Sequence, residues 1–96
     1  MPKQYPSLKP IEIIKCLERL GFKYLKSRGD HNHYIKGDKI VQVDMGEKEG
    51  FGPAGMQIII NDSGFSREIF YRATKKTAKK INKPPLSKEE LKKIDC

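Results

Sequence analysis

The sequence predicts an α+β domain in the order α-β-β-β-α, a three-stranded antiparallel sheet packed on helices, with an extra helical segment at the C-terminal end. Three observations carry this. Apolar residues recur at near-helical spacing at Ile11, Ile14, Leu17 and Leu20. Three short runs of strand character follow between residues 22 and 44, separated by glycine-containing turns. From residue 56 the helical spacing returns, punctuated by Gly64 and by Pro84-Pro85.

Each element has its own signal. Residues 1–9 read as a loose polar lead with two prolines. Pro10 suits a first helical position, and Gly21 suits the residue just past a helix end, so the first helix is placed at 10–20. FKYLKS (22–27) reads as a strand closed by a turn at Arg28-Gly29, and HNHYIK (31–36) as the next. Gly37-Asp38 is a hairpin signal, and KIVQVD (39–44) alternates around Val41 and Val43 as the third strand. The glycine-rich stretch 45–55 reads as a loop, and MQIIINDS as a helix stopped by Gly64. Ser66 is a suitable N-cap for a further helix from Arg67 to the proline pair. On that helix Arg72, Lys75, Lys76, Lys79, Lys80 and Lys83 fall on one side as a basic stripe. Ser87 with Glu90 matches a capping box, and Leu86 with Leu91 a hydrophobic staple, for a last short helix.

Ninety-six residues make one domain. A chain of this size buries roughly 60–65% of its unfolded surface, which excludes a large enclosed substrate cavity and favours a shallow, open site. The formal net charge is +8. Residues 1–74 hold 12 Lys/Arg and 9 Asp/Glu, whereas residues 75–96 hold 8 and 3, so a basic extension follows a milder domain. Such an excess favours phosphate backbones or an acidic protein partner. Cys16 and Cys96 lie far apart and do not form a disulfide framework. With neither a signal peptide nor an apolar run of membrane-spanning length, the expected location is cytoplasmic, with no membrane partner.

The chain's two histidines, His31 and His33, stand two residues apart at the start of the second strand, in RGDHNHY. Here the sequence resembles the HicA-like (YcfA-like) toxins. These are small RNA-cleaving halves of toxin–antitoxin pairs, with a double-stranded-RNA-binding-domain type of fold. LERLGF (17–22) matches that family's first-helix end, GDHNHY (29–34) its Gly-Ser-His turn, KIVQVDMG (39–46) its third strand and GMQIIINDSGFSREIF (55–70) its closing helix. The resemblance spans about residues 8–72. It departs at Asp30, where the family usually has serine, and in the extension after residue 74, which makes a division into 1–74 and 75–96. It implies a metal-independent mRNA endoribonuclease toxin of a type II pair, needing no cofactor, restrained by a HicB-type antitoxin, with His31 at the catalytic position.

The chemistry fits an imidazole. RNA carries its own nucleophile, the 2′-OH. A general base takes that proton, the oxygen attacks the adjacent phosphorus, and a 5′-OH leaves. Histidine, with an ordinary pKa of about 6.5, keeps a neutral fraction at pH 7. His33 shares the strand face of His31 and is either the acid partner or a partly buried residue beside Ile35. Asp30 either orients His31 or is simply a turn residue. Arg28, the cation nearest His31 in sequence, is a supporting candidate, and Lys23, Lys26, Lys36 and Lys39 are candidates for RNA phosphates. Phe51 either stacks on a base or covers the end of the core. The basic stripe tracks nucleic acid, meets an acidic antitoxin or is a solvated face. A zinc site built on His31, His33 and Asp30 or Asp44 lacks well-placed further ligands in Cys16 and Cys96, so no metal is expected. The reading from another functional class is a non-catalytic RNA-binding module of the same fold.

Overall fold

A computed structural model describes residues 5–94; residues 1–4 of the expected polar lead, and Cys96, lie outside the described residues. The elements are α1 (Pro10–Arg19), β1 (Lys23–Arg28), β2 (His31–Lys36), β3 (Lys39–Asp44), α2 (Pro53–Ser63), α3 (Arg67–Arg72), α4 (Lys75–Lys79) and α5 (Lys88–Ile94). The strands form one antiparallel sheet in the order β1-β2-β3, so the fold is α+β with an open three-stranded sheet.

Helix α1 starts on Pro10, and the free Lys9 N–H donates to Glu12 Oε1 at 2.9 Å. Its end closes by a Schellman pair: Phe22 N–H donates to the Leu17 carbonyl and Gly21 N–H to that of Glu18. The buried face is Ile13, Ile14, Cys16 and Leu17, continued by Leu20, whereas Ile11 is 57% exposed. The expected apolar face was therefore set one residue off at its start. Residues 5–9 are held rather than loose. Leu8 is fully buried, Tyr71 Oη donates to the Pro6 carbonyl at 2.7 Å, and Phe51 N–H donates to the Leu8 carbonyl at 3.0 Å.

Both hairpins turn on Gly-Asp. Arg28 pairs with His31 and Lys36 with Lys39, leaving Gly29-Asp30 and Gly37-Asp38 as two-residue loops. Gly29 (φ 57°) and Gly37 (φ 59°) take the first loop position in left-handed backbone, which a residue with a Cβ adopts at a cost. The first turn is thus Gly29-Asp30, one residue later than expected. On one sheet face Tyr34, Val41 and Val43 meet Ile13, Leu17, Leu20, Met56 and Phe70 in the core. The other face stays open.

Strand β1 carries a bulge. Tyr24 pairs with Tyr34 but Lys26 pairs with His33, leaving Leu25 as the extra residue. Opposed residues project to the same face. Tyr24 therefore stays on the helix side, stacked edge-on against Tyr34 at 5.8 Å, while Lys23, Lys26 and Arg28 all project to the open side. Unbroken alternation would have placed Lys23 opposite in sense to the other two.

Helix α2 begins at Pro53, three residues before the expected start, because Pro53 occupies a first-turn position where its missing N–H costs nothing. The isoleucine run is helical, with Ile59 and Ile60 buried and Ile58 61% exposed. The helix packs against β3.

The single long helix expected from Arg67 is broken at Thr74. Ser66 Oγ caps α3 by accepting from Ile69 N–H. Thr74 is extended (φ −127°, ψ 157°), and its hydroxyl accepts from Thr77 N–H to start α4. Thr77 Oγ1 donates to the Tyr71 carbonyl at 2.6 Å. These local hydroxyl bonds outcompete helix continuation. The six cations consequently do not form one stripe. Arg72 bonds the Pro84 carbonyl and Glu90, Lys80 bonds the Ser7 carbonyl, and Lys83 pairs with Glu68 at 3.6 Å. Thr77, Ala78 and Leu86 are buried, so residues after 74 pack onto the rest of the chain.

The capping box of α5 forms as expected: Glu90 N–H donates to Ser87 Oγ, and Ser87 N–H donates to Glu90 Oε1. Bonds from Ser87 and the Arg72 charge hold the Glu90 carboxyl below its ordinary range. A lowered carboxyl pKa stabilises above the unfolded value and loses that contribution as pH falls through the folded one. The protection factors of the α5 amides, exchange rates corrected for the intrinsic pH dependence, should therefore fall ahead of global unfolding as the solution is acidified through the carboxylate range. Exchange in α5 that tracks α1 throughout would contradict this.

Candidate active site

The three strands present the open face in rows. Arg28, His31 and Asp44 stand side by side across β1, β2 and β3, and Lys26, His33 and Gln42 make the next row. Lys23, Ile35 and Ile40 make the third. His31 and Asp44 are 46% and 35% exposed, with His31 Nε2 3.7 Å from Asp44 Oδ2. The second oxygen, Asp44 Oδ1, accepts from Gly46 N–H at 2.9 Å, which fixes the carboxylate and leaves Oδ2 toward the imidazole.

Beyond β3, helix α2 rises as a second wall. Between it and the sheet lies an open groove of about 390 Å³, lined by His31, Gln42, Asp44, Phe51, Ile58 and Asp62 among others. His31 thus sits between a basic strand and a wall bearing carboxylates. Arg28, Lys26 and Lys23 lie on one side, Asp44 and Asp62 on the other.

The expected residues fall into two groups. His31, His33, Arg28, Lys26 and Lys23 come together on the open face. His33 is half-buried, and its Nδ1 is buried without a hydrogen-bond partner among the described residues. Lys36 and Lys39 belong to the helix side instead. Lys36 Nζ donates to the Leu20 and Ile94 carbonyls at 2.7 and 3.1 Å and lies 5.1 Å from the Phe65 ring centre, so it ties α1 to α5. The Lys39 chain runs beside Gly64. The carboxylate that meets His31 is Asp44, not Asp30, whose carbonyl accepts from Met45 N–H in the turn. This pairing had a sequence signal. A two-residue loop at 37–38 sets Lys36 opposite Lys39 and, counting back, His31 opposite Asp44. Asp62 and Ile58 had no such signal, because helix α2 reaches the site only through tertiary packing.

Cys16 is buried on the far side of the core against Thr77 Oγ1 at 3.4 Å, and burial pushes its thiol up to about 11. No cluster of three or more His, Cys, Asp or Glu side chains that could hold a metal occurs among the described residues. No described helix is long and apolar enough to cross a membrane. No family model matches the chain, and no curated protein matches it.

Proposed function

We propose that this chain is a metal-independent endoribonuclease toxin of the HicA type, acting on mRNA in the cytoplasm and restrained by a HicB-type antitoxin. The observation that supports it best is the half-exposed His31 imidazole on an open face, flanked by Arg28 and faced by Asp44. A sugar–phosphate chain laid along β1 meets Arg28 and Lys26 with its phosphates and brings a ribose over β2. His31 then takes the 2′-OH proton, the oxygen closes on phosphorus, and the 5′-oxygen leaves with a proton from water or from His33. Arg28 stands where charge builds on the phosphorane. Asp44 holds the ring and favours one tautomer, as a carboxylate behind a catalytic imidazole does. An antitoxin that covers the groove also covers the exposed Ile58 that lines it.

The direct test incubates the purified chain with single-stranded RNA in excess chelator and maps the ends. Products ending in 2′,3′-cyclic phosphate and 5′-OH are expected. RNA that is bound but never cut, with or without added divalent metal, would replace this reading with a non-catalytic RNA-binding module.

Two further variants probe the roles. Asp44→Asn should lower kcat by about 10–100-fold with KM nearly unchanged, because supporting partners of a catalytic group act on its orientation. Asp44→Glu should recover part of the loss, and a KM effect without a kcat effect would remove Asp44 from this role. Arg28→Ala and Lys26→Ala should each flatten the salt dependence of RNA binding by about 0.7 on a log–log plot, the value for one phosphate contact on a single strand. An unchanged slope in both would take the phosphate path off β1.

A further inference from the structure

The groove and the basic strand β1 beside it differ in kind. The groove lining contains no lysine or arginine but two carboxylates, Asp44 and Asp62, together with the Gln42 amide, the Phe51 ring and Ile58. A phosphate is repelled there, whereas the basic row on β1 attracts one. Asp44 is engaged by Gly46 and His31, while the exposed Asp62 carboxylate has no partner among the described residues. The half-buried Phe51 ring packs against the core, as one of its two expected roles had it, with its remaining surface on the groove, and is seated against Gly55. A Cβ there would come within 3.3 Å of a ring carbon, so glycine lets the ring lie close on α2 and line the groove. An aromatic ring, an apolar side chain and a free acceptor together suit a flat, uncharged ring that carries N–H donors.

We infer that the α2 side of the groove is a subsite for one unstacked nucleobase, favouring guanine, with Phe51 as its stacking surface and Asp62 as the acceptor of its Watson–Crick-edge N–H groups. This rests on the ribonuclease reading and adds the selectivity of the same site. Single-stranded RNA is read by splaying bases onto aromatic side chains and bonding their edges. Guanine presents N1–H and the 2-amino group side by side and engages a carboxylate through two parallel bonds. Uracil presents one N–H between two carbonyl oxygens that repel the same carboxylate. Adenine and cytosine each offer an amino group beside a ring acceptor. The ordering therefore runs from guanine down to uracil.

The test uses four oligodeoxynucleotides, each with a single ribonucleotide (rG, rA, rC or rU) as the only cleavable position. Wild type should cut the rG oligomer about tenfold or more faster than the rU oligomer, the discrimination typical of a bidentate base contact. Asp62→Asn should bring the rG:rU ratio toward one, and Phe51→Ala should raise KM for all four. A preference for another base, or a ratio unchanged by Asp62→Asn, overturns the proposal. If wild type cuts none of the four, the ribonuclease reading has failed. Equilibrium binding of the same intact oligomers then decides the subsite: tighter rG binding that Asp62→Asn removes supports it, and equal binding of rG and rU ends it.

Discussion

Replacing His31 with alanine should lower RNA cleavage by about 10²–10⁴-fold, the usual contribution of a positioned general base, which corresponds to roughly 3–5 kcal/mol of barrier. The substitution removes a side chain that is 46% exposed and outside the core, so the fold should remain intact. RNA affinity should also persist, because Arg28, Lys26 and Lys23 still line the approach. Three measurements decide the matter together: product formation, circular dichroism with urea titration, and RNA binding by anisotropy. Expression in a host supplies the cellular counterpart, in which wild type should arrest growth and the variant should not. A His31→Ala protein that cuts RNA or arrests growth like wild type removes the imidazole from the mechanism.

The largest expected effect on stability lies in the core beneath the sheet. Phe70→Ala should cost about 3–5 kcal/mol, as truncation of a buried aromatic typically does, against a total of about 5–15 kcal/mol for a small domain. Phe70 is fully buried, meets Tyr71 edge-on at 6.2 Å between ring centres, and anchors the six-residue α3 in the core. In urea the midpoint should fall with little change in slope. Ile58→Ala gives the contrast: its side chain is exposed, and its removal should change stability by no more than about 0.5 kcal/mol. Equal costs for the two would mean that the core is not centred where its burial places it.

The parts of the fold that were legible in the sequence are those fixed by local chemistry. Strands β2 and β3 were placed at their observed bounds because Gly37-Asp38 admits a two-residue turn and the runs on either side alternate. The Schellman glycine, the Ser66 cap and the Ser87–Glu90 box were equally local. The failures share a cause, since each depends on a choice that neighbours in space decide. Residues 72–83 satisfy helical spacing, yet the hydroxyls of Thr74 and Thr77 find the Tyr71 carbonyl, Cys16 and each other, and the helix restarts. Lys36 looked like a free cation beside the histidines, but its strand position turns it under the sheet to two helix-end carbonyls. At the site, the His31–Asp44 pairing was recoverable from hairpin register alone, whereas the groove wall formed by α2 was not. Nothing in the isoleucine run says which of its members will face β3.

Leu25 also guards the outer rim of the sheet. A strand with an unbroken row of free N–H and C=O groups invites a second copy to add itself as the next strand. Here the extra residue interrupts that row midway, and all six residues of β1 are exposed, four of them Lys23, Lys26, Ser27 and Arg28. Two copies approaching rim to rim meet mismatched ladders and like charge. The same bulge that brings Lys23 onto the face of Lys26 and Arg28 therefore disfavours sheet-to-sheet aggregation in a chain whose β1 is otherwise uncovered.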